Sequence, residues 1–220
     1  MPGVRVIISD FGGVLTNPLE EAFLAYQESS GIPLEELGKA MFTIGERDGV
    51  NPLFALEKGT VSEPKFVADM EAQLRRQLGD HVEFTDFSEA YFSHLKPNEP
   101  FLDFLFEYKA SGGRLALLTN NVREWEPRWR AMLPIDELFE TIVDSGFVGT
   151  RKPEGRIYEI TYERILALEG LSRIQREECV LVDDIVVNCD AAREFGFRAV
   201  RYHGENGDVV AELRGMLAGG

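Results

Sequence analysis

Three short apolar runs in this chain each end on polar side chains. Val4-Arg5-Val6-Ile7-Ile8 runs into Ser9-Asp10, Leu115-Ala116-Leu117-Leu118 into Thr119-Asn120, and Cys179-Val180-Leu181-Val182 into Asp183-Asp184. Runs this short and continuous fit strands buried on both faces. From Lys96-Pro97-Asn98 onward they alternate with helix-period segments. Helices are expected at about 98–111, closed by Gly112-Gly113, from about 122, at about 155–168, and from Asp183-Asp184 to about 195. Further strands are expected near 141–143 and 198–201, and Ser172-x-x-Gln175 has the form of a capping box. Strands alternating with helices imply an α/β fold, a parallel sheet covered on both faces and wound right-handed. Ligands of such sheets bind in the crevice at the carboxyl ends of the strands, where Asp10, Thr119 and Asp183-Asp184 would converge.

Residues 17 to about 95 read differently. Apolar positions recur at helical spacing in Leu19, Phe23, Leu24 and Tyr26, in Leu34, Leu37 and Met41, and in Phe66, Met70, Leu74 and Leu78. Breaks fall at Gly31-Ile32-Pro33, at Asn51-Pro52 and at Gly59 to Pro64, where Ser62 is an expected N-cap. The segment reads as an all-helical module inserted after the first strand, dividing the chain into a core of residues 1–16 and 96–220 and an insertion of residues 17–95.

A chain of 220 residues buries a sizeable core as one domain or as a domain with an insertion. Its 38 acidic and 23 basic side chains give a net charge of −15, which argues against a nucleic-acid backbone or an anionic membrane surface as partner. An anionic small substrate then needs a locally positive site or a bound cation. The two cysteines, Cys179 and Cys189, form neither a disulfide framework nor a zinc spacing. With no basic, apolar leader and no long apolar stretch, the expected location is the cytoplasm. His81, His94 and His203 are scattered without a metal or triad context. Trp125 and Trp129, four apart among interleaved charges, fit a packed helix face.

Asp10 can serve as a nucleophile toward phosphorus, dividing one hard displacement into two easier ones. Asp183 and Asp184 would crowd like charges beside it, and a Mg2+ held by oxygen ligands relieves that repulsion while admitting a phosphate dianion. Lys152, the Thr119 hydroxyl and the backbone N–H groups of Gly12-Gly13 are placed to hold phosphoryl oxygens. Each residue has a plainer reading alone: Asp10 as a turn former, Asp183-Asp184 as a solvated loop, Lys152 as a surface lysine and Thr119-Asn120 as a helix cap. Their shared order and placement favour the chemical reading.

That order resembles the haloacid dehalogenase superfamily of hydrolases. Four motifs carry the resemblance: Asp10-Phe11-Gly12-Gly13-Val14-Leu15, Leu117-Leu118-Thr119-Asn120, Gly149-Thr150-Arg151-Lys152-Pro153, and Val182-Asp183-Asp184-Ile185-Val186-Val187-Asn188. Glu57-Lys58-Gly59-Thr60-Val61-Ser62 looks like the cap of the subgroup that includes the N-terminal phosphatase domain of soluble epoxide hydrolase. The resemblance implies a Rossmann-like core with a helical cap, Asp10 as nucleophile, and Thr119 and Lys152 as phosphate binders. It also implies Mg2+ held by Asp10, the carbonyl of Gly12 and Asp184, with Asp183 in support, and Gly12, Gly13 and Asn120 lining the substrate site. Asn188 stands where many members carry another acid.

One position departs from the pattern. Phosphatases of this superfamily generally carry a second Asp two residues after the nucleophile, and here that residue is Gly12. General acid–base help is worth ~10²–10⁴ in rate, so good leaving groups such as sugar 1-phosphates or aryl phosphates are expected, and Gly12→Asp is expected to speed poor leaving groups most. The expected activity is a Mg2+-dependent phosphatase on a small phosphorylated metabolite. The alternatives are a metal-independent 2-haloacid dehalogenase and a non-catalytic binding protein with a degenerate site. Glu46, Arg47 and Asp48 sit near a break in the insertion, where a solvated cluster is the favoured reading. Exposed apolar surface on the insertion leaves room for a homodimer.

Overall fold

The computed structural model describes residues 3–85, 87–204 and 206–217. Its centre is a five-stranded, all-parallel sheet in the order β3-β2-β1-β4-β5, formed by β1 (Val6–Ser9), β2 (Arg114–Thr119), β3 (Thr141–Asp144), β4 (Cys179–Asp183) and β5 (Arg198–Arg201). Every residue of β1 and β4 is buried, as strands covered on both faces must be. Successive side chains point to opposite faces. Thus Ile7, Leu117 and Val182 join one apolar cluster, while Val6, Ile8, Ala116 and Leu181 join another.

After β1, α1 (Leu19–Ser30), α2 (Leu34–Asp48), α3 (Pro52–Glu57), α4 (Glu63–Leu78) and α5 (Phe87–His94) follow without an intervening strand among the described residues. Helix α1 packs on α5, and α2 on α4. Helix α6 (Glu99–Ala110) returns the chain to the sheet. Between β2 and β3 come α7 (Glu126–Met132) and α8 (Ile135–Leu138), and after β3 come α9 (Ser145–Val148) and α10 (Gly155–Leu166). Helix α11 (Val186–Phe195) joins β4 to β5, and α12 (Asn206–Leu217) closes the chain. Helices α6 and α12 cover one face through Phe101, Leu105, Val209 and Leu213. Helices α10 and α11 cover the other through Ile157, Ile165, Cys189 and Ala192.

The chain leaves the sheet and returns to it at one place. Thr16 forms an antiparallel bridge with Pro97, the Asn17 N–H donates to the Lys96 carbonyl at 3.0 Å, and the Lys96 N–H donates to Asn17 Oδ1 at 2.8 Å. A second contact zone lies beyond α3. The Ser145 hydroxyl donates to the Glu57 carbonyl at 2.6 Å, and the Trp125 indole donates to Glu63 at 2.7 Å. Trp125 and Trp129 are both buried, the latter against Phe11 at 5.5 Å between ring centroids, so the tryptophan pair packs inward as its spacing indicates.

Local details differ from the sequence reading. Ser62 stands at the start of α4, yet its side chain makes no capping hydrogen bond. The capping box lies three residues beyond Ser172. The Gln175 N–H donates to the Glu178 carboxylate at 2.7 Å, because the turn that needs a cap is the 3-10 turn before β4. The short α9 forms where the sequence reads as a loop through Gly146 and Gly149, its first turn capped by the Asp144 side chain accepting from the Gly146 N–H, and the terminal α12 carries no expectation from the sequence. No helix among the described residues is long and apolar enough to cross a membrane.

These packing differences set an expected stability contrast. Ile8→Ala, at a fully buried position of the central strand, is expected to lose about 2–5 kcal/mol. Phe42→Ser, at a residue 68% exposed, is expected to stay within about 0.5 kcal/mol. Equilibrium urea unfolding measures both.

Candidate active site

Register builds the site. Ser9 pairs with Leu117 on one side and Val182 on the other, and the Asp10 N–H donates to the Val182 carbonyl at 2.9 Å. Asp10 therefore stands level with Asp183, and Thr119 ends the neighbouring strand. Lys152 comes from the loop between α9 and α10, where Asn120 anchors it from both sides. The Lys152 N–H donates to Asn120 Oδ1 at 2.8 Å, and Asn120 Nδ2 donates to the Lys152 carbonyl at 3.0 Å.

The side chain of Lys152 is fully buried. Its Nζ lies 2.8 Å from Asp10 Oδ1 and 2.6 Å from Asp183 Oδ2, and donates to the Leu118 carbonyl at 3.0 Å. Burial opposes its charge, but Asp10 and Asp183 outweigh that and raise its pKa. Asp183 is itself fully buried and saturated. Its carboxylate accepts from the Ile185 N–H at 2.9 Å and from Asn188 Nδ2 at 3.0 and 3.2 Å. It sits behind Asp184, which reaches the cavity.

Carboxylate oxygens of Asp10, Asp183 and Asp184 lie within 4.8 Å of one another. One ammonium against three carboxylates leaves an excess of negative charge in a poorly solvated place. Burial raises Asp10 to about 8, with Asp183 and Asp184 adding to the rise and Lys152 opposing it. Burial and Asp183 likewise raise Asp184. Such an all-oxygen, over-negative cluster is a fit for a hard divalent cation.

The two glycines do different work. Gly13 has φ +76°, and a Cβ there would stand 2.5 Å from Asp184 Oδ2, so only glycine leaves room for that carboxylate. Its N–H donates to Thr16 Oγ1 at 3.2 Å and is used inside the turn. The sequence reading aimed this N–H at substrate. Gly12 lines the cavity, and a Cβ there would stand 2.9 Å from Leu19 Cδ2. Leu19 thus occupies the space an acidic side chain would need, and Gly12→Asp requires Leu19 to move before any acid is gained.

A cavity of about 750 Å3 opens over these groups. Asp10, Gly12, Thr119, Asn120, Lys152, Asp184 and Asn188 form its floor, and Leu19, Phe23, Phe54, Glu57 and Tyr91, from α1, α3 and α5, form the facing wall. Arg151 also lines it. Its Nε lies 2.6 Å from Glu57 Oε2, and its guanidinium stacks 3.9 Å from the centre of the Phe54 ring. Burial raises Glu57, against the pull of Arg151. The Tyr91 phenol is pushed up by burial and by the charges of Asp10, Glu57 and Asp184.

Sequence reasoning did not reach the facing wall. Phe23 reads as an ordinary helix-core residue, Tyr91 carries no expectation from the sequence, and Arg151 and Glu57 give a signal only through their neighbours in the quoted motifs. Glu46, Arg47 and Asp48 lie away from the cavity, where Arg47 pairs with Asp48 at 2.6 Å in solvent.

Comparison with known proteins bears on the family and the fold. The chain is 23% identical over 220 residues to acyl-CoA dehydrogenase family member 10 of Mus musculus, covering 97% of this chain and 19% of that protein. It is 23% identical over 209 residues to bifunctional epoxide hydrolase 2 of Sus scrofa, covering 90% of this chain and 36% of that protein. The chain therefore spans well under half the length of these curated relatives. Among solved structures, a haloacid dehalogenase family enzyme from Bacteroides thetaiotaomicron, in complex with magnesium and inorganic phosphate, matches with a TM-score of 0.62. It is 23% identical, and the match covers 92% of this chain and 96% of that one. At this identity the structural match speaks for the fold. The family model for haloacid dehalogenase-like hydrolases matches residues 4–196, and with that match spanning β1 to β4 and all four motif segments, the chain belongs to the haloacid dehalogenase-like hydrolases.

Proposed function

We propose that the protein is a Mg2+-dependent phosphatase of a small phosphorylated metabolite, working through an aspartyl phosphate on Asp10. Residues 17–95 act as a helical cap over a core of residues 1–16 and 96–220. The observation that carries this reading is the buried Lys152 ammonium, 2.8 Å from Asp10 and 2.6 Å from Asp183, beside a third carboxylate on the cavity floor.

Asp10, the Gly12 carbonyl and Asp184 would hold Mg2+, with Asp183 fixing the arrangement from behind. The cation supplies the positive charge that lets a phosphate dianion enter an acidic crevice. Asp10 attacks phosphorus, the bond to the leaving oxygen breaks, and the phosphoryl group rests on the carboxylate until water removes it. Lys152 orients Asp10 and lends positive charge to the phosphoryl oxygens, and Thr119 faces the same space. Asn120 serves mainly by locking the Lys152 backbone. With Gly12 giving no proton, leaving groups that depart readily as anions are favoured.

Two outcomes are expected. Purified protein with Mg2+ releases phosphate from members of a panel of phosphorylated metabolites and aryl phosphates, and Asp10→Asn brings release to background. Full activity of Asp10→Asn contradicts the reading, and halide release from 2-haloacids in EDTA would turn it toward a dehalogenase. The second outcome concerns pH. Asp10 is raised from its ordinary value to about 8, so in chelator its contribution to stability is present below about pH 4 and is lost as pH climbs toward 8. Mg2+ must displace that proton, so its affinity by titration calorimetry is expected to rise up to about tenfold per pH unit between pH 6 and 8, with proton release, and then level off. A pH-independent affinity contradicts this.

A further inference from the structure

Resting on the phosphatase reading above, we infer that the Tyr91 phenol donates the hydrogen bond that the leaving-group oxygen would otherwise receive from an acid at position 12. The loop after β1 offers no such group, because Gly12 has no side chain and Leu19 fills the adjacent space. In an in-line displacement the leaving oxygen departs on the side of phosphorus opposite the attacking Asp10. A compensating donor therefore belongs on the wall facing the floor.

The polar side chains on that wall are few. Pro18, Leu19, Phe23 and Phe54 are apolar, Glu57 is held by Arg151 at 2.6 Å, and Glu20 lies exposed at the edge. Tyr91 remains as the neutral O–H group. Its ring is clamped by Trp125 at 5.3 Å, Phe92 at 5.2 Å and Phe23 at 6.1 Å between centroids, which fixes the direction of the C–O bond at little further entropic cost. Its hydroxyl has no hydrogen-bond partner among the described residues. Tyr91 lines the same cavity as Asp10, Glu57 and Asp184, whose charges act on the phenol.

Tyr91 keeps its proton throughout. The Asp10 Oδ–P bond forms as the P–O bond breaks, the electron pair stays on the leaving oxygen, and Tyr91 O–H stabilises that oxyanion until it takes a proton from water on release. A donor that does not transfer its proton helps most where charge builds up most, so Tyr91 governs how strongly the rate depends on the leaving group. The aromatic wall of Phe23, Phe54 and Tyr91 suits a flat or apolar leaving group.

The test is a series of phosphate monoesters, alkyl and aryl, with leaving groups of graded acidity, assayed with the unaltered enzyme and with Tyr91→Phe. For phenyl phosphate kcat/KM is expected to fall on the order of 10²-fold, the effect of losing one oxyanion donor. The loss shrinks steadily toward dinitrophenyl phosphate, so the slope of log kcat/KM against leaving-group pKa steepens. Inhibition by inorganic phosphate keeps its constant, since the ring packing and the floor are untouched. A uniform loss across the series, no loss, or a parallel weakening of phosphate inhibition overturns the role of Tyr91 while leaving the phosphatase reading standing. Release no greater than that of Asp10→Asn for every ester overturns the phosphatase reading, and this inference with it.

Discussion

A lysine ammonium removed entirely from water is the constraint on which the rest of the site depends. Lys152 is tolerable there only because Asp10 and Asp183 flank it at 2.8 and 2.6 Å and the Leu118 carbonyl accepts a further hydrogen bond from it. Breaking a buried pair of this kind costs about 3–5 kcal/mol, because the partner is left charged and unpaired. The dependence also runs the other way. Without Lys152, three carboxylates within 4.8 Å would have no internal cation, so parallel register, the two-sided clamp of Asn120 on the lysine backbone and the Gly13 turn beside Asp184 serve one electrostatic arrangement.

That arrangement is incomplete in charge, and the incompleteness is what makes it chemically useful. Burial and its acidic neighbours raise Asp10 to about 8, so its carboxylate ionises fully when a hard cation balances the cluster. The acidic surface of the chain, at net −15, makes the same demand on an approaching phosphate. Opposite the floor the wall is largely apolar and aromatic, with the Arg151–Glu57 pair as its charged seam. The proposed mechanism thereby divides binding and leaving-group departure between the sheet and the helices that face it.

Much of this could be read from the sequence because a parallel strand announces both its burial and its end. Val6 to Ile8, Leu115 to Leu118 and Val180 to Val182 are apolar throughout, and among the polar residues that follow them Asp10, Thr119 and Asp184 reach the crevice. The depth of Lys152 could not be read this way. A lysine before a proline looks like a surface residue, and its burial follows from Asn120, which approaches it from 32 positions away. The facing wall was hidden for a related reason. Phe23 satisfies the period of an ordinary amphipathic helix and Tyr91 carries no motif, and only the packing of α1 on α5 brings the two to the cavity that Asp10 lines. The shift of the capping box from Ser172 to Gln175 shows the same limit on a small scale, since several polar residues in one loop offer caps and tertiary position selects among them.

The account stands on Asp10 as the group that carries the phosphoryl intermediate. Acid-quenching the Mg2+-loaded enzyme during turnover, reducing with borohydride and mapping the product by peptide mass spectrometry tests this directly. The account predicts conversion of Asp10 to homoserine, only when substrate and Mg2+ are both present. Reduction at another carboxylate, or turnover with no trapped residue, would contradict it.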